Sequence, residues 1–228
     1  MIKPMLFNTD MVRAILEGRK TVTRRAVKPQ PKGGHSVLDY DDEAHTADIL
    51  CGNGGEGGVF ADWAETVKAP CWPGDILWVR ETWRPYSAWI GSSCGCEIEY
   101  KAGGMERFEG LPIAVPKYKG SWRPSIHMPR ETARIFLRIT DVRVERLQEI
   151  TAEGALDEGT DVKFPEPKPS YISLAYTEMR LKPAARQSFS ELWESTIKPK
   201  DRTAYGWAAN PWVWVIEFER CNKPEGFA

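Results

Sequence analysis

Segments with the two-residue alternation of β-strands recur along this chain, and turns or long polar stretches separate them. Residues 76–80 read ILWVR and follow the run WPGD, whose proline and glycine occupy the central positions of a type II turn. Further strands are predicted at residues 134–144 and 212–218. Because regular crossover helices are missing between these segments, the pattern favours an α+β fold with a small mixed or antiparallel β-barrel over a doubly wound sheet.

The predicted strand at residues 134–144 changes its parity part-way along. Apolar side chains occupy the odd positions from 135 to 139 and the even positions 142 and 144. A one-residue shift of this kind moves the apolar side chains to the other face of a sheet. We therefore expect a bulge or a break near Thr140 and Asp141.

Three helices are predicted from capping residues and helical spacing. Asn8 or Thr9 can cap a short helix with apolar positions 11, 12, 15 and 16, and Gly18 is placed to end it in a left-handed conformation. A second helix begins behind Thr151, runs to Glu158 and stops at Gly159. A third follows Ser188, with apolar positions 189, 192, 193 and 197.

Three stretches carry little regular pattern: residues 29–70, 85–129 and 161–183. The first holds a cluster of glycines, and the other two are rich in proline and polar residues. Glycine and proline at this density argue against regular structure. The chain is long enough to bury a substantial core, so we expect a single domain spanning residues 1–228 with three irregular insertions. Two compact domains stay open as the alternative, although the sequence shows no clean linker between them.

Charge is concentrated locally rather than globally. The net charge is −1, which gives no chain-wide field for nucleic acid, yet six basic and no acidic residues lie between Gly18 and Lys32. This stretch begins GRKTVTRR and combines two threonine hydroxyls with a lysine and a pair of arginines. These residue types make the stretch the main candidate for an anion-binding site or a catalytic nucleophile. The alternative is structural: cations after a helix end complement the helix dipole, and β-branched residues here simply start a strand.

The cysteines favour reduced thiols and no metal. Five cysteines are an odd number in a chain that needs no disulfides for stability, and no paired CxxC spacing occurs. A zinc site formed by Cys94 and Cys96 with Cys51, Cys71 or His127 stays open as an alternative.

The first residues lack an apolar signal core, and no run approaches the roughly 20 apolar residues that cross a bilayer. We expect a cytoplasmic protein without cofactor or membrane contact.

Five motifs in this order resemble the ASCH (activating signal cointegrator homology) family. They are GRKTVTRR after a short helix, the turn and strand WPGDILWV, RIFLRITDVRVERL, the helix ITAEGALDEG and the closing strand WVWVIEFER. The resemblance implies a PUA-like β-barrel and covers roughly half of the residues. The chain is similar to the enlarged members of bacteriophages and prophages.

The resemblance also implies two kinds of function. ASCH domains are regarded as RNA-binding or nucleic-acid-related modules, and small bacterial members hydrolyse the acetyl amide of N4-acetylcytidine. Their lysine, threonine and glutamate correspond here to Lys20, Thr23 and Glu158. Thr23 would be the nucleophile, Lys20 its base and Glu158 the residue that orients the lysine. On a regular strand Lys20 and Thr23 point to opposite faces, so this mechanism needs a bend within the motif.

The remaining binding candidates flank these three residues or are aromatic. The first group comprises Arg19, Thr21, Arg24 and Arg25, of which Arg24 or Arg25 is expected to hold a phosphate or an oxyanion. Trp83 or Trp122 is expected to stack on a base, whereas Trp193, Trp212 and Trp214 are interpreted as packing residues. His127 is either a pocket acid or base or a structural histidine.

Three functions follow as hypotheses, in this order. The first is a PUA-like protein that binds RNA or a modified nucleotide through the basic motif, because this reading requires least. The second is an amidohydrolase acting on N4-acetylcytidine or a related acylated base. The third is a phage accessory protein that binds another protein through its long loops. The oligomeric state is left open.

Overall fold

The computed structural model describes residues 1–52, 63–89, 95–110, 120–162 and 181–227 and has a mixed α+β fold with mostly antiparallel strand pairs. The strands are β1 (Ile2–Leu6), β2 (Val22–Ala26), β3 (Gly34–Asp41), β4 (Thr46–Cys51), β5 (Trp63–Lys68), β6 (Ile76–Arg80), β7 (Trp83–Trp89), β8 (Gly95–Tyr100), β9 (Met105–Glu109), β10 (Phe136–Arg146) and β11 (Trp212–Cys221). The α-helices are α1 (Thr9–Leu16), α2 (Ala152–Asp157), α3 (Lys182–Thr196) and α4 (Arg202–Tyr205). None of the helices in these ranges has the length and apolar character needed to cross a membrane.

The chain divides into two compact units, each made of several segments. The first unit comprises Met1–Gly18, Gly74–Arg138 and Glu219–Ala228, and the second comprises Arg19–Pro73 and Ile139–Phe218. The long strands β10 and β11 contribute residues to both. The single domain expected from the sequence stays a prediction.

In the first unit, β6 is the central strand of a mixed sheet. It pairs in parallel with β1, with Ile2 opposite Ile76, and antiparallel with the start of β10, where Phe136 lies opposite Trp78. A separate antiparallel sheet has the order β7-β8-β9. The core of this unit includes Trp83, which is 1% exposed, together with residues of β8 and β10.

Helix α1 of the first unit has the termini that its sequence predicts. The Asn8 side chain accepts a hydrogen bond of 2.8 Å from the Met11 amide, which satisfies one of the otherwise unpaired amides of the first turn. Gly18 has φ +75°, the left-handed conformation that ends many helices and that only glycine adopts at little cost. The predicted helix and its stop are therefore confirmed.

In the second unit, β11 lies between β10 and β2. The β2–β11 pair is antiparallel, with Thr23 opposite Ile216. Helices α2 and α3 pack against this sheet around a core that includes Val22, Phe189 and Trp193. Trp193, Trp212 and Trp214 are at most 6% exposed, which confirms their interpretation as packing residues.

Two of the three insertions predicted to be irregular contain regular sheets. Residues 29–70 include the antiparallel sheet β3-β4-β5 of the second unit, and residues 85–129 include β8, β9 and most of β7. The prediction was wrong because the period-two signal is short: Ala47, Ile49 and Cys51 are buried in β4, as are the alternating apolar residues of β8. A register shift follows Pro85 in the pairing of β7 with β8.

The remaining predictions concern segments further along the chain. Strand β10 runs continuously from Phe136 to Arg146, so the predicted break is wrong. The parity of its buried residues changes between Ile139 and Val142, and the alternative of a bulge there stays a prediction. Helix α3 begins at Lys182, six residues before the predicted cap at Ser188, with Pro183 in its first turn. Of the third predicted insertion, residues 163–180 lie outside the described residues.

Candidate functional site

Lys20 is a buried cation with a complete set of acceptors. Its side chain is 1% exposed, and its ammonium donates to the Val22 carbonyl at 2.7 Å, the Glu158 carbonyl at 2.9 Å and Glu158 Oε2 at 2.6 Å. An ammonium group has three protons, so all of its donors are used. The backbone supports this arrangement, because Lys20 and Glu158 form an antiparallel bridge and the Thr21 amide donates to the Asp157 carbonyl.

Glu158 owes its position to the two ends of helix α2. Thr151 Oγ1 accepts from the Gly154 amide at 3.0 Å and fixes where the helix starts. Glu158 is the residue that caps the other end, and Gly159 follows with φ +78°. This confirms the predicted cap, helix and stop. The carboxylate is thus held at the end of a short helix that the sequence defines on both sides.

Arg24 completes a buried ion-pair network. Its guanidinium donates to Glu158 Oε1 at 3.3 Å and to Glu145 Oε2 at 3.4 Å, and it lies over the Phe189 ring at 5.8 Å. The side chain is 3% exposed, and its Nε is buried without a hydrogen-bond partner. Because its charge is already matched by two carboxylates, Arg24 is badly placed to hold a phosphate, which corrects one of the two expected phosphate contacts.

Burial has the largest effect on the pKa of Lys20. Desolvation lowers the pKa of its ammonium, the Glu158 carboxylate opposes this effect, and the positive charges of Arg25 and Arg24 lower the pKa further. Burial likewise lowers the pKa of the Arg25 guanidinium, again opposed by Glu158. Loss of the Lys20 proton is thus easier than for an exposed lysine, which is the direction that a general base requires.

Thr23 lies next to this network without joining it. It is 4% exposed and follows Val22 on β2, so its side chain points to the opposite strand face from those of Val22 and Arg24. Among the described residues, its hydroxyl makes no hydrogen bond to Lys20 or Glu158. The contact between nucleophile and base that the mechanism needs is therefore not formed in this structure.

The two flanking candidates have local roles. Arg19 donates to the Gly159 carbonyl at 3.0 Å and forms an ion pair of 3.2 Å with Asp161. Thr21 is exposed, and its carbonyl accepts from the Phe218 amide. Both residues thereby link the basic motif to α2 and β11. Their contacts favour a structural contribution to the site over direct ligand binding.

A pocket of about 360 Å³ opens beside the end of β2, and we call it the basic pocket. Its lining includes four cationic residues and one carboxylate. The lining residues are Arg24, Arg25, Ala26, Lys28, Trp193, Thr196, Ile197, Lys198, Asp201 and Tyr205. Basic side chains beside an aromatic ring are the combination that single-stranded nucleic-acid sites use.

No family model, curated protein or solved structure matches this chain. The resemblance to ASCH proteins therefore rests on the quoted motifs alone. The basic pocket has to be interpreted from its own residues.

Sequence reasoning found only part of the basic pocket. Arg24 and Arg25 were candidates, and Lys28 belonged to the basic stretch without being singled out. Lys198, Asp201 and Tyr205 follow helix α3 and carry no periodic or motif signal. The two lysines on either side of Pro199, in the run KPKD at 198–201, were the only local hint.

The aromatic and histidine candidates belong to the other compact unit. Trp83 is 1% exposed in the core of the first unit, which leaves its ring no open face for a base and corrects that expectation. Trp122 is half-buried, with the Arg84 guanidinium 4.0 Å from its ring centroid. His127 is exposed at the end of the short 3₁₀ helix Ser125–His127.

The thiols considered for zinc are placed as follows. Cys51, Cys71 and Cys96 are buried free thiols, Cys221 is half-buried, and Cys94 lies outside the described residues. Burial raises the pKa of the thiols of Cys51 and Cys96, which keeps them protonated. Within the described ranges, no group of three or more His, Cys, Asp or Glu residues is arranged to hold a metal ion.

Proposed function

We propose that this chain is an ASCH-like protein with a PUA-like β-barrel that binds single-stranded nucleic acid, RNA in particular, at the basic pocket. The observation that carries the proposal is the lining of this pocket, which combines the basic residues Arg25, Lys28 and Lys198 with Tyr205. A chain with a net charge of −1 has no general attraction for phosphate, so a local group of cations is what nucleic-acid binding requires here.

The motif order supports the family assignment. The basic run leaves the end of α1 at Gly18, and its lysine meets Glu158 at the end of α2. These are the positions at which the family's lysine and glutamate were expected from the sequence. Lys20 and Glu158 are 138 residues apart in the sequence, yet their side chains are hydrogen-bonded. A chance resemblance of two short motifs does not explain this contact.

Lys28 offers the sharpest test of nucleic-acid binding. Its side chain is exposed, lines the basic pocket and forms no ion pair within the described part of the chain. The experiment measures binding of a fluorescently labelled single-stranded RNA of about 12 nucleotides, by anisotropy between about 50 and 200 mM salt. Lys28→Gln should weaken binding and reduce the slope of log K against log salt by about 0.7, the value for one lost phosphate contact on a single strand.

Lys32→Gln is the matched control. Lys32 belongs to the same basic stretch and is exposed, but it does not line the pocket. Equal effects of the two substitutions would mean that binding follows the overall charge rather than the pocket. Absence of salt-dependent RNA binding by the unmodified protein would refute the proposal and favour the accessory, protein-binding alternative.

Amidohydrolysis is a second proposal, supported by the chemistry of Lys20. A buried lysine whose pKa is lowered and whose ammonium is oriented by a carboxylate has two features of a catalytic base. Thr23, the proposed nucleophile, is three residues away in sequence. Its hydroxyl would have to turn towards Lys20 for the reaction, since apo sites often tighten only when substrate is bound.

A further inference from the structure

The basic pocket has the dimensions of a site for one nucleotide. Its volume of about 360 Å³ lies near the lower end of the range of about 300–1,000 Å³ for small-molecule sites. A duplex does not enter a cavity of this size, whereas a single base with its sugar and phosphate does. The opening lies at the end of β2, and the segment that follows α3 supplies the other wall.

Two exposed lysines give this pocket its phosphate-binding capacity. Lys28 extends from the β2 side, and Lys198 comes from the segment that follows α3. Neither lysine forms an ion pair among the described residues, so both ammonium groups are available to a ligand. Two cations in the lining of one small pocket suit a phosphate, which carries several acceptor oxygens and up to two charges.

Among the described residues, Asp201 is the one carboxylate that lines the basic pocket. It is half-buried, and its side chain forms no ion pair in the described ranges although four cationic residues line the pocket with it. Its backbone amide donates to the Lys198 carbonyl at 2.9 Å, which holds the two residues on one short turn. A carboxylate beside a phosphate site repels the phosphate but accepts hydrogen bonds from the hydroxyls of a ribose.

Tyr205 supplies an aromatic surface on the same wall. Its ring is half-buried, and Lys28 Nζ lies 4.9 Å from the ring centroid. The Tyr205 carbonyl accepts a hydrogen bond of 2.8 Å from Trp193 Nε1, so the buried tryptophan fixes the backbone that carries the ring. A half-exposed ring on a fixed backbone can stack on a base of any identity.

We infer that the basic pocket takes one ribonucleotide, with its phosphate between Lys28 and Lys198, its ribose hydroxyls at Asp201 and its base against Tyr205. This inference rests on the proposed nucleic-acid binding and adds the ligand unit and the preference for ribose over deoxyribose. The 2′-hydroxyl is the group by which a protein distinguishes RNA from DNA at a given position.

The test uses single nucleotides rather than a strand. Ribonucleoside 3′,5′-bisphosphates carry phosphate at both positions where a strand would, and their 2′-deoxy counterparts lack only the 2′-hydroxyl. Calorimetric titration of the full chain should show binding of the ribonucleotides, weaker binding of the deoxynucleotides and little binding of inorganic phosphate. Lys198→Gln should weaken ribonucleotide binding about tenfold, which is typical of one lost hydrogen bond to a charged group.

Two further variants make the test specific. Lys200→Gln is the control for charge, because Lys200 is exposed on the same turn as Lys198 but does not line the pocket. The affinity of the Lys200→Gln variant for the ribonucleotides should stay within about twofold of that of the unmodified protein. Asp201→Ala removes the acceptor for the ribose hydroxyls and should abolish the preference for ribose while phosphate-dependent binding persists. Equal affinity for ribo- and deoxynucleotides, or equal effects of Lys198→Gln and Lys200→Gln, would overturn the inference.

Failure of the inference is distinguishable from failure of the proposed function. If RNA binds in a Lys28-dependent way but no bisphosphate binds at millimolar concentration, the protein recognises a strand and not a single nucleotide in this pocket. If bisphosphates bind in a Lys198-dependent way but RNA does not, the pocket serves free nucleotides and nucleic-acid binding is wrong.

Discussion

Lys20 Nζ and Glu158 Oε2 lie 2.6 Å apart in the interior of one compact unit, although 138 residues separate them along the chain. Glu158 also forms an ion pair with Arg24, which in turn forms an ion pair with Glu145. Two cations and a carboxylate buried together lose most of their hydration, and their mutual contacts offset that cost only while every member is present. The network therefore depends strongly on Glu158.

Replacement of Glu158 by alanine should destabilise the protein severely. The substitution leaves Lys20 buried without a carboxylate, and uncompensated buried charges of this kind cost about 3–5 kcal/mol of unfolding free energy. Urea denaturation measures the change. Glu153→Ala, which removes an exposed carboxylate from the first turn of the same helix, should change stability by less than about 1 kcal/mol. Similar losses for both variants would show that the buried network contributes little.

The lowered pKa of Lys20 predicts a pH dependence of stability. Above its ordinary value of 10.5, Lys20 is neutral in both the folded and the unfolded protein. As the pH falls from there towards the lowered pKa, the unfolded chain binds a proton that the folded protein lacks, so the unfolded state is favoured. As the pH falls from about 10.5 towards the lowered pKa of Lys20, the unmodified protein should therefore lose stability relative to Lys20→Met.

Chemical denaturation of both proteins at several pH values between about 8 and 11 measures this difference. Taking the difference between the two proteins cancels the titration of the other groups. A constant difference across the range would mean that the Lys20 proton is held equally well in the folded and unfolded states.

The raised pKa of Tyr100, in the first unit, predicts that stability falls as the pH rises, which is opposite to the effect of Lys20. Burial raises the pKa of its hydroxyl above the ordinary value of 10.0, and the hydroxyl donates to the Thr132 carbonyl at 2.6 Å. Below pH 10.0 both states keep the proton; above it only the unfolded chain loses it, so stability falls as the pH rises. The advantage of the unmodified protein over Tyr100→Phe, about 1 kcal/mol for one hydrogen bond, should shrink above that pH. A difference that grows with pH would contradict this assignment.

The amidohydrolase proposal predicts release of cytidine from N4-acetylcytidine. Thr23→Val keeps the shape of the side chain but removes the hydroxyl, so it should abolish the reaction if Thr23 is the nucleophile. Thr23→Ser keeps a hydroxyl and should retain part of the activity. Chromatography of the products, with the thermal midpoint measured beside it, separates lost chemistry from lost folding. Full activity in a folded Thr23→Val protein would remove Thr23 as the nucleophile, and an inactive unmodified protein would remove the reaction.

Local signals in the sequence were sufficient wherever one segment supplies all of the information. The cap at Asn8, the left-handed stop at Gly18 and the capped helix that ends before Gly159 are all present as predicted. Each of these features depends on hydrogen bonds within a few residues, so neighbouring side chains specify it. The position of Glu158 at a helix end was predictable for the same reason.

Short strands were harder to predict than helix ends. The sheets β3-β4-β5 and β7-β8-β9 lie in ranges that looked irregular, because strands of five to eight residues between glycines and prolines carry few alternating positions. Their hydrogen bonds come from partner strands, which one segment does not reveal. Trp83 shows the same limit, since its position beside a turn gave no sign that its ring is buried.

The sequence by itself determined the helix termini, the local concentration of positive charge and the residue types of the motif. Only the tertiary structure decided that Lys20 meets Glu158, that Arg24 is matched by carboxylates and unavailable to phosphate, and that Lys198, Asp201 and Tyr205 share a pocket with Lys28. The physical reason is distance along the chain. Capping and charge density are properties of neighbouring residues, whereas burial and ion pairing depend on which remote segments the folded core brings together.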